Sequence, residues 1–243
     1  MTVVKQTPSV NYSTHVQDIG WQGYVKDGST AGTTGQSKRL EAIRIKLSNN
    51  TSYKGTIQYQ THIQDIGWQG WKMNDEMSGT SGQSKRLEAI RIKLTDELAE
   101  NYDIYYRVHA QEFGWLGWAK NGESAGTAGY SYRLEAIEVK LVEKGGKAPG
   151  STQDAYRQRY VSYQTHVQDI GWQGIKYDGE EAGTSGQSKR LEAIRIKLTG
   201  EMAKQYDIYY RVHSQEFGWL GWAKNGESAG TEGYSYRLEA IQI

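Results

Sequence analysis

The amino-acid sequence predicts an all-β protein built from tandem repeats, on the strength of three observations. A motif ending in Gly-Trp returns five times, the stretches before it alternate in polarity as half-buried strands do, and no helical pattern exceeds one turn at residues 96–102. The aromatic residues are a separate feature of the sequence, with 18 Tyr and 8 Trp against 2 Phe. Rings that carry a polar group favour half-solvated positions such as binding surfaces.

The repeat is clearest at its tryptophans. The pattern HVQDIGW ends at Trp21, and its later copies end at Trp68, Trp115, Trp172 and Trp219, with spacings of 47, 47, 57 and 47 residues. The longer spacing falls in a segment that contains Pro149, one of two prolines, and this composition is typical of a linker. We predict a lead over residues 1–9, repeats 1–3 as a first domain over 10–141, a linker over 142–159, and repeats 4 and 5 as a second domain over 160–243.

Each repeat begins with a strand of period two. In repeat 1, Tyr12, Thr14 and Val16 should face the core, whereas Ser13, His15 and Gln17 should face solvent or a neighbour. Dipeptides that supply tight turns follow at residues 27–28, 121–122, 178–179 and 225–226, and repeat 2 departs with Asn74–Asp75. In the last strand, Leu40 has the wrong parity for the face of Ile43, which predicts a bulge near Glu41 and Ala42.

Two arrangements of the repeats are compatible with this pattern. In the first, repeats 1–3 close a pseudo-threefold domain that is β-trefoil-like or β-prism-like, and repeats 4 and 5 form a second, two-repeat domain. In the second, all five repeats form a five-bladed β-propeller, which lies within the usual range of about 4–8 blades. The linker favours the first arrangement.

The repeated motif HxQxxGWxxW followed by AGTxGxSxRLEAIxIKL resembles the ChW family, the clostridial hydrophobic repeats with a central tryptophan. In repeat 2 the matching positions are His62, Gln64, Gly67, Trp68, Gly79, Thr80, Gly82, Ser84, Arg86, Leu87, Glu88 and Ile90. The resemblance covers all five repeats, although Tyr24 and Ile175 replace the second tryptophan in repeats 1 and 4. It implies a secreted or cell-surface module of Gram-positive bacteria that binds the cell wall or carbohydrate, in a lectin-like manner.

Composition excludes several partners and cofactors. The net charge of +1 is too small for a nucleic-acid binder, and no apolar run is long enough for membrane insertion. The chain has no cysteine, and the first ten residues carry no signal peptide, so an export signal is not in this chain. The glycines near Gly32 and Gly35 lack P-loop spacing and predict a tight turn. We expect no cofactor.

Neither the histidines nor the glutamates predict a metal site or an enzyme. Each repeat supplies one histidine as its only good metal donor, and a metal site needs several. The pair Arg39 and Glu41 recurs in every repeat, which predicts a structural ion pair linking neighbouring repeats. Glycoside hydrolysis requires two carboxylates in different environments, and five equivalent glutamates do not offer that difference.

Aromatic and polar residues in the repeats predict a carbohydrate-binding surface. We expect the Gly-Trp tryptophans to be core anchors and the ring three residues later to be exposed for stacking against sugars. The predicted binding residues are His15, Gln17, His62, Gln64, Trp71, His109, Gln111, Trp118, His166, Gln168, His213, Gln215 and Trp222.

The sequence thus predicts a non-catalytic, multivalent protein whose partner is cell-wall polysaccharide or another glycan. Repetition itself supports this, because weak sites gain avidity on a repeating polymer. The alternative function is a surface scaffold for protein–protein interaction or self-assembly. Repeats 4 and 5, which cannot close a threefold core alone, are expected to be capable of forming a homo-oligomer.

Overall fold

The computed structural model describes residues 7–48 and 51–243, and the chain divides into two compact units after Arg157. Most of the predicted lead lies outside the described residues. The division falls inside the segment predicted as a linker. We refer to the two parts as the N-terminal unit and the C-terminal unit.

The N-terminal unit holds repeats 1–3. Repeat 1 contains β1 (Ser9–Val16), β2 (Gly20–Trp21), β3 (Val25–Lys26), β4 (Ala31–Gly32) and β5 (Leu40–Ser48). Repeat 2 contains β6 (Ile57–Ile63), β7 (Gly67–Trp68), β8 (Lys72–Met73), β9 (Ser78–Gly79) and β10 (Leu87–Leu94), and is followed by helix α1 (Asp96–Asn101). Repeat 3 contains β11 (Tyr102–Ala110), β12 (Gly114–Trp115), β13 (Ala119–Lys120), β14 (Ala125–Ala128) and β15 (Leu134–Glu143), and β16 (Tyr156–Gln158) follows at the end of the linker.

The C-terminal unit holds repeats 4 and 5. Repeat 4 contains β17 (Val161–Val167), β18 (Gly171–Trp172), β19 (Lys176–Tyr177) and β20 (Leu191–Leu198), and helix α2 (Met202–Gln205) follows. Repeat 5 contains β21 (Tyr209–Ser214), β22 (Gly218–Trp219), β23 (Ala223–Lys224), β24 (Ala229–Gly230) and β25 (Leu238–Gln242). The chain is all-β with two short helices, as the sequence predicts.

Every repeat has the same internal sheet. Its first long strand pairs antiparallel with its last, as β1 does with β5, and two short strands pair with the first. The predicted tight turns are confirmed by positive φ at Asp27 and Gly28, and Asn74–Asp75 adopts the same conformation. The predicted bulge is confirmed too, because the register skips Glu41 between Ala42 and Leu40.

Short strands join the three repeats of the N-terminal unit into a ring. Strand β9 of repeat 2 pairs with β5 of repeat 1, β14 of repeat 3 pairs with β10 of repeat 2, and β4 of repeat 1 pairs with β15 of repeat 3. The ring closes after three repeats, so the chain does not form the single five-repeat ring that the propeller requires. Glycine is needed at each junction: a Cβ on Gly32 would lie 2.4 Å from the carbonyl oxygen of Glu135.

The core of the N-terminal unit lies where the three repeats meet. The predicted inward face of β1 is confirmed, since Tyr12, Thr14 and Val16 are fully buried. The Tyr12 hydroxyl donates to the carbonyl of Ser29 and accepts a hydrogen bond from the Val139 amide of repeat 3, with an N–O distance of 3.1 Å. Burial raises the pKa of Tyr12 to about 12. The equivalent tyrosines therefore bind neighbouring repeats to one another.

The predicted linker packs against repeat 3 up to Arg157. The amide of Trp118 donates to the Ser151 carbonyl over 2.8 Å, and the amide of Gly126 donates to the Ala155 carbonyl over 2.9 Å. Lys144 forms an ion pair with the buried carboxylate of Asp103. This segment is thus part of the folded N-terminal unit.

In the C-terminal unit, two repeats share a smaller core. Strand β24 of repeat 5 pairs with β20 of repeat 4 in the same register as the junctions of the N-terminal unit. The cluster of buried apolar residues described there consists of Ile196, Tyr210, Val212, Ala223 and Ala229. The last strand, β25, pairs with β21, and no other strand pairs with it among the residues that the structure describes.

Candidate functional site

The Gly-Trp tryptophans lie at the surface, so their predicted role as core anchors is wrong. Trp21 is 36% exposed and Trp219 is 41% exposed, and those of repeats 2, 3 and 4 are half-buried. The cause is the strand pairing. Trp21 lies directly opposite His15, and residues opposite one another in an antiparallel pair share a face. The tryptophan is therefore on the histidine face and not on the face of Tyr12.

Histidine and tryptophan form an edge-to-face ring pair in every repeat. The centroids of His15 and Trp21 are 5.5 Å apart, with an interplanar angle of 80°. The pairs of the other repeats have centroid distances of 5.4 or 5.5 Å. The predicted binding residues His15, His62, His109, His166 and His213 all occupy this position.

An arginine lies over each of these tryptophans, which the sequence analysis missed. Arg44 lies 4.5 Å from the ring centroid of Trp21, and Arg91 and Arg195 of the last strands take the same place in repeats 2 and 4. In repeats 3 and 5 the first strand supplies the cation instead, as Arg107 and Arg211. The sequence does indicate this exchange. Repeats 3 and 5 carry Glu138 and Gln242 in the last strand, at the position where the other repeats carry the arginine.

Each histidine is backed by the glutamate of the bulge. His15 Nδ1 lies 3.1 Å from Glu41 Oε2, and Arg39 donates to the other carboxylate oxygen over 2.7 Å. Glu41 is 6% exposed. The predicted Arg–Glu ion pair is confirmed, but it lies within one repeat; the backbone of the glutamate makes the link between repeats, as when Thr80 N donates to Glu41 O. The carboxylate thus lies beside the histidine ring, within ion-pair distance of it.

The predicted glutamines lie apart from the histidines. In the N-terminal unit, Gln17, Gln64 and Gln111 line one cavity of about 200 Å³ together with an arginine and a serine from each repeat. The Oε1 atom of Gln111 accepts a hydrogen bond from Arg133 over 2.9 Å. In the C-terminal unit, Gln215 accepts in the same way from Arg237, and Gln168 donates its backbone amide to the Arg190 carbonyl. The histidines do not line this cavity, although its arginines also pair with the glutamates that lie beside them.

The second aromatic ring of the repeats divides into exposed and buried cases. Trp71 is 37% exposed and Trp222 is 53% exposed, as expected for stacking platforms. Trp118 is 5% exposed, so the prediction of its exposure is wrong. It lies between two short strands, where strand parity does not apply, and Gly150 of the linker lies against its indole.

The linker also creates a cleft in repeat 3. The cleft has a volume of about 340 Å³ and is lined by Arg107, Phe113, Trp115, Leu116, Gly117, Trp118, Ser151, Gln153, Asp154 and Arg157. Arg157 lies 4.8 Å from the Phe113 ring centroid and pairs with Asp154 over 3.1 Å. The Nε atom of Arg157 is buried without a hydrogen-bond acceptor. An aromatic ring therefore stands beside polar groups, one of which is an unused donor.

The described residues contain no group of three or more His, Cys, Asp or Glu arranged to hold a metal ion. Among them, neither helix has the length and apolar character to cross a membrane.

Comparison with known proteins identifies the repeat. The family model Clostridial hydrophobic W (ChW) matches residues 15–49, 62–96, 109–143, 166–200 and 213–243, which is one match in each repeat. No curated protein and no solved structure gave a match. Because the five matches cover well over half of the sequence and coincide with the five structural repeats, the chain belongs to the ChW family.

Proposed function

We propose that this protein is a non-catalytic, multivalent carbohydrate-binding protein whose ligand is a bacterial cell-wall polysaccharide or another glycan. The observation that carries the proposal is the recurrence of one half-exposed tryptophan, with the same histidine and a neighbouring arginine, in all five repeats. Five similar shallow sites suit a ligand that presents one chemical unit many times.

The chemistry of the cluster suits a sugar. The apolar face of a pyranose stacks on an aromatic ring, and its hydroxyl groups accept hydrogen bonds from guanidinium groups. Arg44 and Trp21 stand together at the surface in this way, with Tyr24, 43% exposed, three residues further along the chain. Trp71 and Trp222 provide the exposed second ring in repeats 2 and 5.

The cleft of repeat 3 is a further proposed site. It adds the Asp154 carboxylate and the Arg157 guanidinium to the aromatic wall of Phe113 and Trp115. A carboxylate that accepts two sugar hydroxyls and an arginine that donates to them would fix the orientation of one saccharide.

The glutamates support a binding role over hydrolysis. Glu41, Glu88, Glu135 and Glu192 are 5–7% exposed, and each lies between an arginine and a histidine of its own repeat. Glycosidases need one carboxyl group as acid and a second as base or nucleophile across the scissile bond. Four equivalent carboxylates, each held by a guanidinium, favour a structural role.

Binding to a wall polymer also implies a location. We propose that the protein acts outside the cell or on its surface. We further propose that neither nucleic acid nor the membrane interior is a partner, in line with the net charge of +1.

The experiment is cosedimentation of the full chain with purified peptidoglycan and with wall polysaccharide, in the presence of increasing soluble glycan fragment. We expect saturable binding that the fragment releases. Trp71→Ala and Trp222→Ala should weaken binding, whereas Tyr206→Ala, which removes a 59% exposed ring outside the clusters, should not.

The alternative function, a protein–protein scaffold, predicts a different outcome. Binding to the wall would then depend on wall-attached protein, and protease treatment of the wall would abolish it. Retention that survives protease treatment and is released by free glycan supports the carbohydrate function.

A further inference from the structure

The C-terminal unit has an unpaired last strand. In the N-terminal unit each last strand pairs with a short strand of a neighbouring repeat, and β20 of repeat 4 pairs with β24 in the same way. Strand β25 receives none among the described residues. The side chain of Ile241 in this strand is 44% exposed, whereas its equivalent Ile43 in β5 is 1% exposed.

Repeat 4 of the same unit has a short segment that, in the described structure, does not pair with a neighbouring repeat. Ala182–Gly183 corresponds in sequence to β4, β9, β14 and β24 of the other repeats, but it pairs with no strand in the described structure. Gly183 has a φ of 119°, close to the 120° of Gly79. At Gly79 that conformation lets the chain approach the Glu41 carbonyl, which would lie 2.4 Å from a Cβ; at Gly183 the nearest neighbour is the Leu191 side chain, at 3.1 Å.

In the described structure, Tyr163 lacks one of the hydrogen bonds that its equivalents form between repeats. The equivalent Tyr59 hydroxyl donates to the Glu76 carbonyl and accepts from the Ile45 amide of the preceding repeat, and Tyr59 is fully buried. Tyr163 donates to the Glu180 carbonyl, but no amide of a neighbouring repeat donates to it in the described structure, and its side chain is only half-buried. In the described structure, the surface at Tyr163 and Ala182–Gly183 thus lacks the last strand of a neighbouring repeat. The surface at β25 lacks a short strand equivalent to β4.

The open position in the C-terminal unit corresponds to one repeat of the closed ring. Ala193 pairs with Gly230 and Ile194 with Ala229, which is the register of Ala89 with Gly126 and of Ile90 with Ala125 in the closed ring. Repeats 4 and 5 are joined through helix α2, as repeats 2 and 3 are through α1. They therefore correspond to repeats 2 and 3, and the position left open is that of repeat 1.

We propose that the C-terminal unit binds one further ChW repeat of the repeat 1 type. The Ala-Gly strand of this repeat pairs with β25, and its last strand receives Ala182–Gly183 and donates an amide to Tyr163. The same contacts close the N-terminal ring, so the open surfaces continue an established interface. Binding of this repeat does not depend on carbohydrate binding.

A second copy of the chain fits this opening poorly. Repeats 1–3 of that copy already close their own ring, so only its two-repeat unit has free surfaces. Two such units would form a ring of four repeats, whereas the register between repeats 4 and 5 is that of a ring of three. The occupant we infer is therefore a single additional repeat.

The experiment is hydrogen exchange on the full chain with a copy of residues 9–48 appended after Ile243 through a flexible glycine–serine linker. We expect amide protection at residues 182–183 and 238–242 to rise by about tenfold or more relative to the unextended chain, as expected when exposed backbone joins a sheet. The matched control carries Gly32→Val in the appended copy only, and should show no such rise.

Two further measurements keep the test decisive. In the extended chain, Gly183→Val should remove the added protection, since a side chain there would meet the glutamate carbonyl of the appended repeat. Unchanged exchange in the extended chain, or equal protection with and without Gly32→Val, would overturn the proposal. The proposal would also be overturned if the unextended chain formed dimers in sedimentation equilibrium and the same two segments became protected from hydrogen exchange in those dimers. The occupant would then be a second copy.

Discussion

At the scale of single residues, the position of an aromatic ring decides whether it stabilises the fold or faces the solvent. The Gly-Trp tryptophan ends a strand of two residues, and the ring three residues later lies directly before another. Their exposure therefore depends on what covers them. In repeat 3 the linker covers Trp118, whereas Trp222 at the same place in repeat 5 is 53% exposed.

This pair of tryptophans gives a direct test. Trp118→Ala should destabilise the N-terminal unit by about 3–5 kcal/mol, as removal of a buried aromatic ring does. Trp222→Ala is the matched control and should change the stability of the C-terminal unit by less than about 1 kcal/mol. Denaturant unfolding followed separately for each unit measures both. Similar losses for the two variants would contradict the burial difference.

Asp103 gives a second residue-level prediction, which concerns acid stability. Burial acts to raise the pKa of this carboxyl group, but hydrogen bonds from Lys120, Asn121, the Gly145 amide and Lys144 outweigh burial and hold the pKa below its usual value of 3.8. A lowered pKa in the folded state stabilises the protein above the unfolded-state pKa, and this stabilisation is lost as the pH falls below it.

Asp103→Asn should therefore lower stability at neutral pH and flatten its decline between about pH 5 and pH 2. Acid titration followed by circular dichroism measures both effects. Asp207→Asn is the control: Asp207 pairs with Lys224 and Asn225 in repeat 5 but is 48% exposed, so solvent screens the same contacts. An equally large effect at Asp207 would contradict the larger contribution that we assign to the buried hydrogen bonds of Asp103.

At the scale of elements, a strand of two residues connects the repeats. Its glycine approaches the neighbouring backbone so closely that no side chain fits, as a Cβ on Gly79 would lie 2.4 Å from the Glu41 carbonyl oxygen. The glycine also has a φ of 120°, which L-residues rarely adopt. Both requirements come from the junction and not from the repeat itself.

Gly79→Ala should accordingly cost at least about 2 kcal/mol, since it adds a steric clash to backbone strain. Gly183→Ala in the unextended chain keeps the strain but meets no backbone, and should cost about 1 kcal/mol. Thermal unfolding of the two variants compares them. A cost at Gly183 as large as that at Gly79 would mean that the Ala182–Gly183 segment is already paired.

The sequence was informative about elements with a regular pattern and less so about contacts between them. The faces of Tyr12 and His15, the turns and the bulge at Glu41 followed from parity and turn chemistry. The exposure of Trp21 did not, because it depends on the pairing of a two-residue strand that has no period to read. The separation of His15 from Gln17 was missed because β1 ends at Val16, beyond which alternation no longer applies.

At the scale of the whole molecule, one closed and one open set of repeats should differ in stability. The N-terminal unit buries residues from all three repeats in one core, whereas Ile241 and Ile243 of the C-terminal unit remain exposed. Apolar area left in water contributes nothing to stability. The C-terminal unit should therefore unfold first.

Limited proteolysis tests this difference. The first cuts should fall after Arg157, and they should leave a resistant fragment that contains repeats 1–3 and the packed linker. Calorimetry should show two transitions, with the lower one belonging to the C-terminal unit. Initial cleavage between residues 144 and 155 would contradict the packing of the linker on repeat 3.

We propose that the protein binds wall polymer multivalently through the repeated tryptophan, and retention on a wall polymer tests this proposal. Trp21→Ala, Trp68→Ala and Trp172→Ala should be made singly and together in the full chain, with melting temperatures to confirm folding. Each single change should weaken retention several-fold and the triple change about 100-fold or more, as expected when linked sites act together. The repeats that keep their tryptophan should bind a soluble fragment carrying one binding unit with an affinity that changes far less. Retention that survives the triple change, or that is abolished by one substitution and untouched by the other two, would contradict the account.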